Sequence, residues 1–423
     1  MRVCIINEYF HPDNTGGTGT VLSHLVRHLK DNHPELTIDV ITTRSLYRGE
    51  KTFLSLSEMW DGVNISRIGV PRPRTAKMVV RLGAGWLFSI AALLKLMKRR
   101  RYDLVLVTTA PPTLPLAMQW MRLLRVPYVY VIYDLFPDVP VALGILREKS
   151  CITRICRHLQ RKWLHNASSV VVLGRCMRDH LAKTYDLAHE RIEVISIWSS
   201  DQHIVPLSKQ TRFRAAHDLK GRVVLYAGNF GQCQDFDNLL NAANHLQESG
   251  SDITLVFVGE GPKKEYILHR VKEENLTNVR VLPFVTREEF PDLLATADIS
   301  LVTLEPGAEG LGVPSKFYNI LASGRPTVAV VAPDSEVARV VEEAGCGVTV
   351  AHHDSRALAQ VLANLCADKA RLDEMGAAAR RVFETDYTLE KSAGRFYRLF
   401  QNVTAKKVPN SREDATEAAL AES

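Results

Sequence analysis

Short apolar runs alternate along the chain with stretches in which apolar residues recur every three or four positions. In the first half, Val3–Ile6, Ile38–Ile41, Leu104–Val107, Tyr128–Ile132, Val170–Leu173 and Glu193–Ile195 read as strands. Their near-continuous hydrophobicity suits strands covered on both faces of a parallel sheet. After the first of them, Val21, Leu22, Leu25, Val26 and Leu29 fall at helical spacing. The second half repeats the alternation. Val223–Tyr226, Leu255–Val258, Val279–Leu282, Ile299–Val302, Thr327–Val331 and Val348–Val350 read as strands, with a helix marked by Leu239, Leu240, Ala243 and Leu246. Two successive βαβ arrays predict an α/β protein of two doubly wound, Rossmann-like parallel-sheet domains. Such a pair leaves a cleft between the carboxyl edges of its sheets, where ligands bind. The less regular stretch from Ile197 to Gly221 reads as the linker. Beyond Thr385 the pattern is helical through Phe396, Tyr397, Leu399 and Phe400, and the polar segment from Lys406 to Ser423 is predicted to be disordered.

A length of 423 residues allows two or three domains, and the apolar and charged fractions are those of a soluble globular protein. The seven cysteines are scattered, form no CxxC pair and lack zinc-ligand spacing, so free thiols in a reducing cytosol are expected. Val3–Ile6 is too short an apolar run for a signal peptide. Charge is unevenly spread: residues 1–200 carry 28 Lys and Arg against 16 Asp and Glu, and the remainder 25 against 31. A basic first half favours an anionic surface such as a membrane or nucleic acid, and the asymmetry suggests two domains with different partners.

The most informative stretch is Gly312-Val313-Pro314-Ser315-Lys316, between the strand at Ile299–Val302 and that at Thr327–Val331. It predicts a short helix opening on Pro314 and Ser315, where Pro suits the first turn and Ser can cap free N–H groups. Those N–H groups, the helix dipole and the charge of Lys316 form an anion site suited to a phosphorylated ligand. Three Gly-rich turns stand at strand ends: Gly16-Gly17-Thr18-Gly19, Tyr226-Ala227-Gly228-Asn229 and Val258-Gly259-Glu260-Gly261. The first misses the dinucleotide fingerprint, because Leu22 occupies the place of the third glycine. Asp134, at the end of another strand, faces the expected cleft and could orient a sugar hydroxyl or polarise an acceptor; a helix cap at Asp134 or Asp138 is the alternative. Leu82–Met97 is mostly apolar, follows Arg81 and precedes Lys98, Arg99, Arg100 and Arg101. It is short for a membrane span. It reads either as an interfacial helix with its basic end on head groups or as an ordinary core helix.

Over roughly residues 1–400 these motifs, in this order, resemble retaining nucleotide-sugar glycosyltransferases of GT-B architecture, glycosyltransferase family 4. The resemblance is nearest to the branch that builds bacterial exopolysaccharide, O-antigen or colanic-acid-type repeat units. It rests on Gly16-Gly17, the Asp134–Pro137 turn, Tyr226–Asn229, Val258–Gly261, Pro314-Ser315-Lys316 and Ala322-Ser323-Gly324-Arg325-Pro326. It implies an acceptor domain over 1–203, a nucleotide-sugar domain over 204–385, a helix crossing back over 386–404 and a tail over 405–423. The donor, a UDP-sugar such as UDP-N-acetylhexosamine, would meet Gly17, Gly228, Asn229, Gln234, Gly259, Glu260, Gly261, Val285, Pro314, Ser315, Lys316 and Asn319. The acceptor would be a polyprenyl-diphosphate-linked glycan at the inner face of the cytoplasmic membrane, with Arg81 and Lys98–Arg101 on the membrane side and no nucleic acid partner. The nucleotide sugar is a substrate, and no cofactor or metal is required.

On this reading Lys316, Asp134 and Glu309 are the candidate catalytic residues. Lys316 and the helix terminus stabilise the departing diphosphate, which itself helps deprotonate the acceptor hydroxyl, so the anomeric configuration is retained. The chain departs from the family pattern in places. Asn319 stands where relatives carry the second Glu of a Glu pair, and Glu309 matches the first only loosely. Asn229 and Gln234 stand where an Arg and a Lys often neutralise the diphosphate, and Tyr133 replaces a His. Two rivals share the architecture: a nucleotide-sugar 2-epimerase and a non-catalytic nucleotide-sugar-binding subunit.

Overall fold

The computed structural model describes residues 1–12, 17–45, 54–70, 78–98, 102–118, 120, 126–199 and 203–405. Gly16, Arg99, Arg100, Arg101, the side chain of Arg81 and the tail beyond Ala405 therefore lie outside the described residues. The first sheet holds β1 (Arg2–Ile6), β2 (Thr37–Thr43), β3 (Ser57–Trp60), β4 (Val63–Ile68), β5 (Leu104–Thr108), β6 (Tyr128–Ile132), β7 (Ser169–Val172) and β8 (Ile192–Val194). Their spatial order is β3-β4-β2-β1-β5-β6-β7-β8. The second holds β9 (Arg222–Ala227), β10 (Ile253–Val258), β11 (Val279–Leu282), β12 (Ile299–Thr303), β13 (Thr327–Val330) and β14 (Gly347–Val350), in the order β11-β10-β9-β12-β13-β14. Neighbours pair in parallel except β3 with β4. This is the doubly wound, two-domain α/β architecture that the alternation predicts. Every residue of β5 and β6 is buried, because helices cover both faces.

The predicted strands all form, with ends displaced by no more than two residues. β3 and β4 were not predicted. Ser57-Glu58-Met59-Trp60 lies at the sheet edge and is half exposed, so it carries no apolar run. The signal that could have found it is Asp61-Gly62, whose φ angles of 47° and 74° form the two-residue turn that joins the hairpin.

The apolar segment after Arg81 forms the helix Met78–Lys98. Phe88, Ala92 and Leu96 point into the core of the first domain, at 1%, 0% and 3% exposure. Leu82, Trp86, Leu87, Ile90 and Leu94 are 45–60% exposed on the other side. The core-helix reading holds for one face of this helix, and the other face is an exposed apolar surface. No described helix is long and apolar enough to cross a membrane.

The domains touch through specific groups. Leu135 N donates to Leu311 O at 3.1 Å, joining the turn after β6 to the Gly-rich loop after β12. The carboxylate of Glu336, in the second domain, accepts from Arg175 N at 2.5 Å at the start of the first-domain helix Arg175–Tyr185. Arg175 also pairs with it through Nε at 3.1 Å, and Arg339 pairs with Asp179 at 3.0 Å. The last helix, Leu389–Ala405, returns to the first domain and places Phe396, Leu399, Phe400 and Val403 in its core. Ser392 Oγ donates to Ser196 O at 2.9 Å, which fixes its position along that core. Phe400 is fully buried. Phe400→Ala should therefore destabilise the first domain by about 3–5 kcal/mol, measurable by urea unfolding followed through tryptophan fluorescence.

Candidate active site

In the second sheet, β9 lies between β10 and β12, which is where the strand order reverses. The crevice outside the carboxyl ends of strands at such a switch point is where α/β folds bind ligands. The chain leaves β9 through Gly228, at φ 149°, and leaves β10 through Gly259-Glu260-Gly261, with Gly261 at φ 155°. The two turns lie on one another. Gly228 N donates to Val258 O at 2.9 Å, Phe230 N to Glu260 O at 2.9 Å and Lys263 N to Phe230 O at 3.0 Å. A Cβ on Gly259 would lie 1.9 Å from Gly228 O, so no side chain fits there. The observed reason for glycine at 259 is thus backbone-to-backbone packing between two turns that the sequence presented as separate.

The helix Lys316–Ala322 begins beside these turns. Ser315 does not cap it, contrary to the sequence expectation. Its φ of −57° and ψ of −28° are already helical and its side chain makes no cap hydrogen bond. Ser315 thus continues the turn opened by Pro314, whose carbonyl accepts from Phe317 N at 3.1 Å. Lys316 reaches back across the end of β9. Its Nζ lies 3.6 Å from the centre of the Tyr226 ring and donates to the Tyr226 hydroxyl. A Cβ on Gly228 would come within 3.1 Å of that Nζ. The side chain as a whole is half-buried, but the ammonium is enclosed by protein, with no carboxylate partner among the described residues. Burial favours the neutral amine and pushes its pKa from 10.5 down to about 7. Tyr226 is fully buried, and its hydroxyl donates to Asn229 O at 2.8 Å.

A pocket of about 190 Å³ opens between the domains next to this helix. Its walls bring together three sequence candidates, Asp134, Gln234 and Pro314, with Cys233, Glu305 and Gly312. Val139, Ala142 and Leu143 supply an apolar wall from the first domain. Asp134 retains solvent access, yet protein crowds its carboxyl on enough sides that desolvation raises its pKa. It caps no helix. Asp138 does not cap either: it is buried as an ion-pair partner of Arg157 at 3.0 Å and accepts from the Tyr185 hydroxyl.

Lys263, beside the pocket, was missed in the sequence. Lys263 Nζ donates to Gln234 O at 2.7 Å and pairs with Glu305 at 2.5 Å. It places a cation beside Gln234, where the expected basic residue is absent. The signal was its position just after the Gly259–Gly261 turn, but only folding brings it beside residue 234.

Other candidates lie elsewhere. Glu309 is held by His352 at 2.7 Å and by Gly307 N at 2.8 Å, and does not line the pocket. Asn319 is buried beneath the helix and accepts from Ser199 Oγ at 3.0 Å. Glu260 pairs with Lys264 at 2.6 Å, Val285 is half-buried, and Gly17 is exposed as the first residue of the helix Gly17–Asn32. Asp235 and Asp237 have Asp-x-Asp spacing but diverge. Asp235 caps a helix through Asn238 N at 3.0 Å, and Asp237 pairs with Arg270 at 2.8 Å.

The profile described as Glycosyl transferase 4-like domain matches residues 16–198, and Glycosyl transferases group 1 matches residues 208–382. The chain is 31% identical to a probable glycosyltransferase, WbjE, of Pseudomonas aeruginosa, over 73% of this chain and 77% of that protein. The chain belongs to glycosyltransferase family 4. This glycosyltransferase is also 28% identical to the putative colanic acid biosynthesis glycosyl transferase WcaI of Escherichia coli K12, over 64% of this chain and 68% of that one. Among solved structures, it matches sucrose-phosphate synthase from Thermosynechococcus elongatus with a TM-score of 0.76 at 16% identity, over 96% of this chain and 100% of the other. HepE of Anabaena in complex with UDP-glucose matches with a TM-score of 0.68 at 15% identity, over 95% and 100%. At those identities the likeness establishes the GT-B fold alone.

The enclosure of Lys316 has a measurable consequence. The unfolded chain holds this proton up to about pH 10.5, whereas the folded transferase releases it near pH 7. The unfolded state binds more protons across that window, so this group's contribution to stability rises with pH between those values and is lowest below them. In the ligand-free transferase, lysine ε-carbon NMR should show one resonance titrating near pH 7. That resonance should be absent from Lys316→Met.

Proposed function

We propose that this glycosyltransferase moves a sugar from a UDP-sugar donor, UDP-N-acetylhexosamine being favoured, to a polyprenyl-diphosphate-linked acceptor, with retention at the anomeric carbon. The product belongs to cell-surface polysaccharide assembly. The observation that carries this reading is the enclosed Lys316 ammonium, without a carboxylate partner among the described residues, at the switch point beside a pocket that contains Asp134. An ammonium in that position has its charge available for a departing diphosphate. The named relation to colanic acid biosynthesis and the UDP-glucose complex of a fold neighbour support the polysaccharide and the nucleotide.

Each residue then has a role. Binding of the diphosphate raises the pKa of Lys316, which takes up a proton from solvent, since a neighbouring anion favours the charged form. Lys263 exchanges part of its pairing with Glu305 for the same phosphates. The leaving diphosphate accepts the acceptor proton on the face it departs from. Asp134, from the opposite domain, orients the acceptor hydroxyl, and the apolar wall of Val139, Ala142 and Leu143 limits water at the anomeric carbon. No cofactor or metal takes part in this scheme.

The acceptor places the enzyme at the inner face of the cytoplasmic membrane. On the helix Met78–Lys98, Leu82, Trp86, Ile90 and Leu94 recur every fourth residue on the exposed side, with Lys98 at the end. That stripe would lie in the head-group region, with the basic end on anionic lipid.

Mass spectrometry of a nucleotide-sugar panel with polyprenyl-diphosphate acceptors should show transfer of one sugar. Lys316→Ala should lower kcat by about 10²–10³-fold. An epimerised donor formed without acceptor would overturn the assignment. In flotation with anionic liposomes, replacing Leu82, Trp86, Ile90 and Leu94 by Ser should abolish co-migration, and replacing Lys98–Arg101 by Gln should weaken it.

A further inference from the structure

A second pocket, of about 330 Å³, lies on the second domain away from the switch point. Three chain segments form it: Pro206–Lys209 of the interdomain linker, Gly324-Arg325-Pro326 after the Lys316–Ala322 helix, and the face of the helix Lys369–Asp386 carrying Leu372, Gly376, Arg380 and Arg381. The backbones of the last two segments touch closely: a Cβ on Gly376 would lie 2.5 Å from Gly324 O.

The lining charge is predominantly positive. Lys209, Arg325, Arg380 and Arg381 face Asp373 alone. Arg325 is only 7% exposed, and it has no carboxylate partner among the described residues. One nitrogen donates to Leu207 O at 2.6 Å, while its Nε has no partner. A buried guanidinium in that state is costly unless an anion completes it. Asp298, whose charge acts on Arg325, is already shared. It takes Lys209 at 3.0 Å, Arg214 at 3.3 Å and Arg222 at 3.3 Å. Arg380 is partly committed, to Glu384 at 2.7 Å and to Ala322 O at 2.7 Å. Arg381 is exposed at the mouth and has no side-chain partner among the described residues.

We propose that this pocket binds a phosphate dianion, either free or as the monoester of a small sugar phosphate, at a site separate from the sugar-transfer cleft. The volume is at the lower end of small-molecule sites, about 300–1,000 Å³, and has room for a phosphate with one sugar ring. Guanidinium groups suit phosphate because they donate in pairs. The occupant would tie the linker to the helix Lys369–Asp386, which precedes the crossing helix Leu389–Ala405.

Isothermal titration of the full-length enzyme at constant ionic strength, with inorganic phosphate in one arm and glucose 6-phosphate in the other, tests the site. Saturable binding in either arm is expected and identifies the source, with chloride as the control. Arg381→Gln, at an exposed position, should weaken it at least five-fold, and Lys316→Gln should change it less than two-fold. Absence of saturable binding in both arms would overturn the proposal. So would loss in Lys316→Gln with Arg381→Gln unaffected, because the anion would then occupy the cleft. Neither result depends on the identity of the donor or acceptor.

Discussion

An ammonium held against an aromatic face organises the second domain's contribution to the cleft. Lys316 sits over the Tyr226 ring at 3.6 Å and donates to its hydroxyl, with no carboxylate partner among the described residues. The ring face and one hydroxyl offset only part of the desolvation of a full charge. The neutral amine is therefore nearly as favourable as the ion near neutral pH, and no carboxylate among the described residues neutralises the cation. The arrangement depends on absent side chains. Gly228 leaves room for the ammonium, and Gly259 lets the next turn press against the Gly228 carbonyl. Tyr226 can present its ring because the aromatic cluster of Phe230, Phe236 and Phe257 holds it from behind.

The first domain completes the site through a small number of contacts rather than a broad interface. The Leu135–Leu311 backbone bond sets Asp134 against the loop that leads into Pro314. Glu336 serves the N-terminus of the Arg175–Tyr185 helix, a position where a carboxylate satisfies free N–H groups and opposes the dipole. A cap supplied by the other domain couples the helix to domain position: opening the cleft would expose those N–H groups and separate Arg175 from its partner. Transferases that close over a donor need contacts that are specific but few, and these fit that need.

Much of the fold was legible in the sequence because parallel strands buried on both faces leave a local record. Tyr128–Ile132 and Val279–Leu282 could be delimited to the residue. The edge hairpin at Ser57–Ile68 was not, because an edge strand half exposed to water has no apolar run and is formed by its turn and its neighbour. The Pro314-Ser315-Lys316 signature predicted a short helix that does form, but Ser315 continues that helix instead of capping it. Asn319 and Glu309 resembled site residues by spacing, yet the short helix turns Asn319 toward Ser199 and His352 holds Glu309.

The sequence by itself determined the two βαβ arrays, the strand ends where ligands gather, and the identity of Lys316 and Asp134 as residues of interest. Each follows from the periodicity of burial or from the rarity of a residue pattern at a strand end, which are properties of neighbouring positions. Only the tertiary structure decided what surrounds the charges. It enclosed the Lys316 ammonium against Tyr226, brought Lys263 beside Gln234, and left Arg325 buried without an ion-pair partner among the described residues. Solvation and pairing are set by atoms far apart in the chain, and the free energy of a charge depends on those atoms far more than on its sequence neighbours.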